Sequence, residues 1–508
     1  MESPERCVRA VKAGGKAAMF ESAEQVHTID KATFKAEQAK LREALLDAQF
    51  DLVQKKTFAV LILLTGIDGA GKSAVLARLN EWLDPRHLRA HAFDVPTGEE
   101  RARPDLWRYW LRLPPKGTIG VYLGSWYREP IMRHVFADGD DTELENDLTA
   151  ISRFETMLAK EGVLIIKLWL HLSRKEQKRR LAEIEKLPGG GRHVVEYRLL
   201  NKRYRRTMAT VEKGIRLTSS GDAPWVVIPG TDAEYRDLMI GRTILAAMRK
   251  RLDGGDVAVP AAAPVVVAGL DRKTVLDRVD LSRRLDDADY KKELSHYQRR
   301  LAELTDSKAF GNIALVTAFE GNDAAGKGGS IRRLTGAIDP RRCKVYPVAA
   351  PSDEEKAQPY LWRFWRRLPR RGRVAVFDRT WYGRVLVERV EGFCSEADWL
   401  RAYAEINEFE AQLAAEGIVL VKFWLAISKE EQLRRFQERE NTPYKRYKIT
   451  DEDWRNREKW DDYALAVGDM VERTSSDTGR WTLVESEDKN YGRVRILKTV
   501  CERLEAAL

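Results

Sequence analysis

The feature that most constrains this chain is that it is written twice. Gly321, Asp323, Gly326 and Lys327 repeat Gly66, Asp68, Gly71 and Lys72, each 255 positions later. At the same spacing Leu361, Trp362, Arg363 and Trp365 repeat Leu106, Trp107, Arg108 and Trp110, and Trp381-Tyr382 repeats Trp126-Tyr127. Lys422, Trp424 and Leu425 fall on Lys167, Trp169 and Leu170, and the offset holds without a gap to Pro443 on Pro188. Beyond that point it becomes 256, which places Trp481 on Trp225. Chance does not align so many tryptophans, so each copy is a domain-sized unit. The repeat predicts an N-terminal domain over 1–252 and a C-terminal domain over 272–508. The Gly-, Ala- and Pro-rich stretch 253–271 between them reads as a linker.

Within each copy, apolar runs alternate with helical patterns. In the second copy the strands are predicted near Ile313–Phe319, Lys344–Val348, Val374–Asp378, Val419–Ile427 and Thr482–Ser486. Helical patterns over Ala397–Glu416 and Lys429–Arg439 separate them, and a charged helical arm, Ala288–Leu304, precedes them. Strands that alternate with helices predict a parallel sheet covered on both faces, an α/β class.

Both copies carry a glycine loop directly after a buried-type strand. The first reads GIDGAGKS, Gly66 to Ser73, and satisfies G-x-x-x-x-G-K-[ST] in full; the second, GNDAAGKGG from Gly321, lacks the final hydroxyl residue. Glycines let backbone N–H groups curl around phosphate oxygens, and the lysine and helix N-terminus add positive charge. The aspartate inside each loop, Asp68 or Asp323, would repel phosphate by itself. It suits a Mg²⁺ ligand, a proton acceptor, or a cap for the loop's own amides.

The third strand separates the copies. The second reads VAVFDRTWYGR, with Asp378 at the C-terminal end of the strand, where a P-loop fold places a magnesium-binding acid, and with Arg379 and Arg384 after it. In the first copy these three become Leu123, Gly124 and Glu129. Leucine cannot ligate a metal, and glutamate inverts the charge offered to phosphate. Further on, RRFQERENTPYKRYK supplies Arg435, Arg439, Lys445 and Lys448, a basic lid, whereas the first copy has Ile184 in place of Arg439 and three glycines in place of the basic run. Lys489 and Arg493 become Ala233 and Asp237. The copy with the better loop consensus is therefore read as the silent one.

The net charge is +10 over 508 residues, which favours an anionic partner. The arginines of WRFWRRLPRRGR could line a polyanion channel, although most are read as a solvated helix face; Trp362 and Trp365, three apart, are read as core. Four cysteines without CxxC spacing indicate neither zinc nor a disulfide framework. The opening MESPERCVRA has no signal-peptide core, and no apolar run is long enough to cross a bilayer, so a cytoplasmic location is expected.

In order, FEGNDAAGKGG, PSDEEKAQPYLWRFWRRLP, FDRTWYGRVLVERVEGF, KFWLAISKEEQLRRFQER and RTSSDTGRWTLVESEDKNYGR resemble the polyphosphate kinase 2 family over most of 290–500. A weaker likeness covers about 35–250, and the fused arrangement resembles the subgroup that phosphorylates AMP from polyphosphate. The resemblance implies two tandem P-loop kinase-like three-layer α/β/α sandwiches with helical lids. It implies Mg²⁺ held by Asp378 and Asp323, and a catalytic set of Asp323, Lys327, Asp378 and Arg379. It implies phosphate binding by Gly321, Ala325, Gly326, Gly328, Arg384, Arg439 and Lys448. Inorganic polyphosphate would be the donor and AMP the acceptor, giving ADP. Nucleic acid and membrane are not expected partners, and self-association is left open. The alternatives are ADP or GDP as acceptor, an ATP-dependent nucleotide kinase, or a polyanion-binding protein without turnover.

Overall fold

In the computed structural model the described residues are 19–137, 140–186, 200–254 and 274–508. The linker reading lies outside them from residue 255 onward. The chain forms two compact units. The first comprises residues up to Asp94 together with Leu113–Val257; the second comprises Val95–Arg112 and everything from Ala258. The contiguous division read from the repeat therefore differs from the compact units by one excursion. Val95–Arg112 is first-copy sequence packed into the second unit, where Trp110 stacks on its own repeat counterpart Trp365, ring centroids 5.5 Å apart.

Each unit holds one five-stranded sheet. In the first these are β1 (Ala59–Gly66), β2 (Leu88–Ala92), β3 (Ile119–Leu123), β4 (Val163–His171) and β5 (Trp225–Pro229). In the second they are β6 (Ala314–Gly321), β7 (Cys343–Pro347), β8 (Val374–Asp378), β9 (Ile418–Ala426) and β10 (Trp481–Glu485). The orders are β2-β3-β1-β4-β5 and β10-β9-β6-β8-β7, the same sequence of strands, and every pairing is parallel. The central strands are apolar almost throughout because helices cover both faces. Leu315, Val316, Ala318 and Phe319 of β6 are fully buried, as are Val60 to Leu64 of β1. The expected strands and helices appear within one or two residues: the helices are Glu396–Ala415, Lys429–Glu440 and the arm Asp287–Asp306. The arm buries Leu301 and Leu304 in the same core as the C-terminal helix Lys489–Glu505.

Each unit repeats a buried ion pair whose lysine stands on its fourth strand. In the second unit Lys422 Nζ donates to Glu410 Oε2 at 2.7 Å, to the Tyr382 hydroxyl and to the Thr474 carbonyl, and Trp381 and Tyr382 donate to Glu410 Oε1. In the first, Lys167, Glu155, Tyr127, Trp126 and Thr218 make the same set. Burial pushes the glutamate up and the lysine down in both. Its presence in both units marks it as architecture, so Trp381 and Tyr382 hold the strand end in place.

Candidate active site

The site forms where β6 and β8 end side by side at the C-terminal edge of the sheet, the edge at which parallel α/β sheets bind ligands. Phe319 pairs with Asp378 across the ladder, so the acid stands two residues from the start of the glycine loop. Gly321 has φ +150°, and a Cβ there would strike the Leu425 backbone. The loop then turns through Ala324 at φ 64° and Gly326 at φ 110°, and Gly326 caps the helix Lys327–Thr335. A Cβ placed on Gly326 or Gly328 would meet no atom within 4 Å. That is the geometry a phosphate cradle requires: backbone free to approach, at the N-terminus of a nine-residue helix.

The predicted side chains converge here. Lys327 Nζ folds back to the Gly321 carbonyl at 2.6 Å. Asp323 faces Arg379, with Nη2 to Oδ1 3.5 Å, and accepts a hydrogen bond from Asn456 Nδ2 at 2.9 Å. Arg379 follows Asp378 in left-handed backbone at φ 62°, and its N–H donates to the Phe319 carbonyl at 3.0 Å. Desolvation opposes its charge, but Asp323, Glu452, Glu320 and Asp378 outweigh it and hold its pKa up. Ala325 is buried and belongs to the loop's packed side.

Arg384 and Arg439 each act on an acid of their own. Arg384 lies over the Tyr360 ring at 4.3 Å and pairs with Glu388 at 2.7 Å. Arg439 stands near the end of the helix Lys429–Glu440, where its charge acts on Asp453. The Lys448 side chain lies outside the described residues. Arg435 requires a correction. It is not a phosphate-facing lid residue but a buried strut, donating to the carbonyls of Ala324, Ser486 and Glu487 and to Glu431. Arg180 does the same in the first unit, reaching Gly69, Gly230, Thr231 and Glu176. Several helix arginines are likewise engaged: Arg363 and Arg367 with Glu355, Arg366 with Glu354.

Three groups escaped the sequence reading. Glu320, the penultimate residue of β6, is buried and accepts from the N–H and hydroxyl of Thr380 at 2.8 and 2.7 Å. Burial raises its pKa against the pull of Thr380, Lys327 and Arg379. The first copy carries Thr65 at this position, a difference that the repeat would have exposed. Asn456 and Glu452, on the helix Asp451–Glu458, hold Asp323 and Arg379 respectively. No motif marks either one.

The first unit shows the same frame with different side chains at the strand end. Leu123 ends β3 and Gly124 follows it, and Lys72 is tied to Gly66 and to Asp68 at 2.9 Å. A Cβ on Gly71 would strike the Arg236 guanidinium, which is itself buried, donates to the Ala70 carbonyl and pairs with Asp237. Arg236 stands where the second unit has Gly492, and Asp237 where it has Arg493. The loop that best fits the consensus is thus filled by the chain's own arginine.

Asp323 and Asp378 are hard oxygen donors suited to Mg²⁺. Among the described residues no three acids, histidines or cysteines converge. That donor set fits an ion held by one or two carboxylates with substrate phosphates completing its shell.

Comparison with known proteins agrees with this geometry. The model of the polyphosphate kinase 2 (PPK2) family matches residues 28–253 and again 284–508. A polyphosphate:AMP phosphotransferase of Pseudomonas aeruginosa is 51% identical over 495 residues, covering 96% of this chain and 99% of that one. One from Acinetobacter johnsonii is 38% identical over 488 residues, covering 94% and 98%. A crystal structure of a polyphosphate kinase 2 from Pseudomonas aeruginosa superposes with a TM-score of 0.86 at 49% identity, covering 96% of this chain and 99% of the other. Two matched domains, a shared fold and near-complete coverage place the chain in the polyphosphate kinase 2 family.

Proposed function

We propose that the protein transfers a terminal phosphoryl group from inorganic polyphosphate to AMP, giving ADP, and that the second unit performs the reaction. The observation that carries this is the internal contrast between one open loop facing Asp378 and Arg379 and one filled loop facing Leu123 and Gly124. AMP as acceptor is supported by relatives of nearly full length named polyphosphate:AMP phosphotransferase.

Phosphoryl transfer asks little covalent chemistry of a protein; catalysis is positioning and charge stabilisation. The loop amides around Gly326 and Gly328 hold phosphate oxygens of the donor chain, and Lys327 leaves the Gly321 carbonyl to join them. Arg379, fixed by Asp323 and Glu452, faces the charge on the transferred group. A phosphate monoester has its second pKa near 6, so at neutral pH the attacking AMP oxygen is mostly deprotonated. Asp323 then has little proton to remove; its work is to hold Arg379 and share a metal ion. Mg²⁺, held by Asp378 with Asp323, would neutralise phosphate charge. Among the described residues no helix is long and apolar enough to cross a membrane, and action in the cytoplasm belongs to the same reading.

The test is ADP production, followed by chromatography, from Mg²⁺, long-chain polyphosphate and AMP. Asp378→Asn should lower turnover by at least about 100-fold, and Lys72→Ala should leave it unchanged. Product from ADP or GDP but not AMP would move the acceptor. Silence with every phosphate donor would end the proposal.

A further inference from the structure

The second unit contains a cavity of about 690 Å³ remote from the glycine loop. Its floor is formed by Gly311-Asn312 and Gly372-Arg373, the residues just before β6 and β8. It therefore opens at the N-terminal edge of the sheet. Each residue of strand advances about 3.3 Å, so the eight residues of β6 set the cavity roughly 25 Å from Gly321.

Six cationic side chains line it, Arg101, Lys308, Arg342, Arg370, Arg371 and Arg373, against one carboxylate, Asp306. Arg101 reaches it because the excursion Val95–Arg112 belongs to this unit, and the Arg371 N–H donates to the Ala102 carbonyl at 3.0 Å. Some of the charge is spent: Arg342 pairs with Asp306 at 3.2 Å and Arg370 with Glu99 at 3.3 Å. Arg373 donates to the Arg341 carbonyl, which satisfies a donor without neutralising it. Arg371 feels Glu416, and Lys308 is exposed at the rim. A concave wall with this excess of like charge raises the local concentration of anions.

The repeat supplies an internal control. At the same strand edge of the first unit Arg342, Arg370, Arg371 and Arg373 are replaced by His87, Pro115, Lys116 and Thr118. The first unit keeps lysines at this edge, Lys55, Lys56 and Lys116, but none of the four arginines, so the guanidinium wall belongs to the unit that carries Asp378, Arg379 and the open loop.

We propose that this cavity is a second anion site that binds inorganic polyphosphate away from the reacting end and so anchors long chains on the second unit. Its ligand rests on the proposed donor, but its occupancy can be measured without turnover. Guanidinium and ammonium groups spaced along a groove suit a linear polyanion, whose binding falls steeply with salt as counterions are released.

The experiment uses the full chain, with Lys308→Ala/Arg371→Ala as the test variant and Lys308→Arg/Arg371→Lys as its charge-keeping partner. Binding of fluorescently labelled long-chain polyphosphate, of unlabelled short linear oligophosphate and of orthophosphate is measured by titration across a salt series. Turnover is measured with long and short donors. For long chains the alanine variant should bind about tenfold more weakly, and its salt slope should be shallower by roughly 2. Its KM for long-chain donor should rise by a similar factor with kcat unchanged, while KM for the short donor stays put. The charge-keeping variant should behave as wild type. Superposable long-chain isotherms for wild type and alanine variant would overturn the proposal, as would an equal rise in KM for short and long donors. So would weakening in the charge-keeping variant, which would signal damage to the fold. If AMP is not a substrate at all, the isotherms and salt slopes still decide the matter.

Discussion

At the residue scale, two features of the second unit look costly when set beside the first. The non-glycine residues Ala324 and Arg379 both adopt positive φ, and their counterparts are Gly69 and Gly124. Left-handed backbone costs a residue bearing a Cβ about 1 kcal/mol, so the second unit retains strain that the first has shed. For Arg379 the reason is on view: only this turn places a guanidinium after Asp378 and against Asp323. Glu320 is the other cost, a carboxyl whose pKa burial has raised. A group of this kind contributes its stability below the unfolded carboxyl range, about pH 4.3, and loses it as pH rises through the folded value. Glu320→Gln keeps an oxygen to accept from both Thr380 donors and carries no charge to desolvate. Thermal melts from acid to neutral pH should therefore show the variant more stable than wild type near neutrality. The gap should close as pH falls toward about 4. A variant less stable at neutral pH would mean that Lys327 and Arg379 need the Glu320 charge more than burial opposes it.

At the element scale, the glycine loop is held by a neighbouring helix as well as by its own turn. Arg435 ties the helix Lys429–Glu440 to the Ala324 carbonyl and to the end of β10 through Ser486 and Glu487. Its partner Glu431 is drawn down to about 2, because Arg434 and Arg435 overcome the desolvation that would raise it. Arg435→Met should cost about 3 kcal/mol, since it strands buried carbonyls and half of Glu431's pairing. The deficit, read from denaturant melts, should be largest at neutral pH. It should shrink as pH falls from the ordinary carboxyl range toward about 2, where Glu431 protonates in wild type as well. Arg180→Met should destabilise comparably, which a phosphate-binding role could not explain in a unit whose loop is filled. This residue also marks the limit of the sequence reading. Arg435, Arg439 and the lysines beyond them look alike as a run of positive charge, and only tertiary packing selects the one that is buried. Strands and helices were legible because parallel sheets write long apolar runs. Asn456 and Glu452 were not, because a polar residue on a polar helix has no signature until the element it faces is known.

At the scale of the whole molecule, duplication made both the fold and the contrast between the two loops readable. Each copy acts as a control for the other, and Leu123, Gly124 and Ile184 stand out only against Asp378, Arg379 and Arg439. What duplication could not reveal is the excursion of Val95–Arg112, because two near-identical segments offer nothing in sequence to say which core each joins. Nor could it reveal Arg236, since a missing acid is legible in sequence while the placement of a guanidinium against a loop is a matter of packing. That difference has a consequence for revival. If the first unit were silent only for want of its acid, Leu123→Asp/Gly124→Arg in an Asp378→Asn background should restore ADP formation. Arg236 lies against Gly71 and Lys72 is tied to Asp68, so both contacts stand between the loop and a phosphate even after the acid returns. Turnover in that triple variant should stay at the level of Asp378→Asn alone, and titration with oligophosphate should show no gain in binding. Adding Arg236→Gly/Asp237→Arg, the residues that the second unit carries, should clear the loop and produce a gain in binding before any gain in rate. ADP formation in the triple variant without that clearance would show that the guanidinium moves aside readily, and that the acid alone separates the two units.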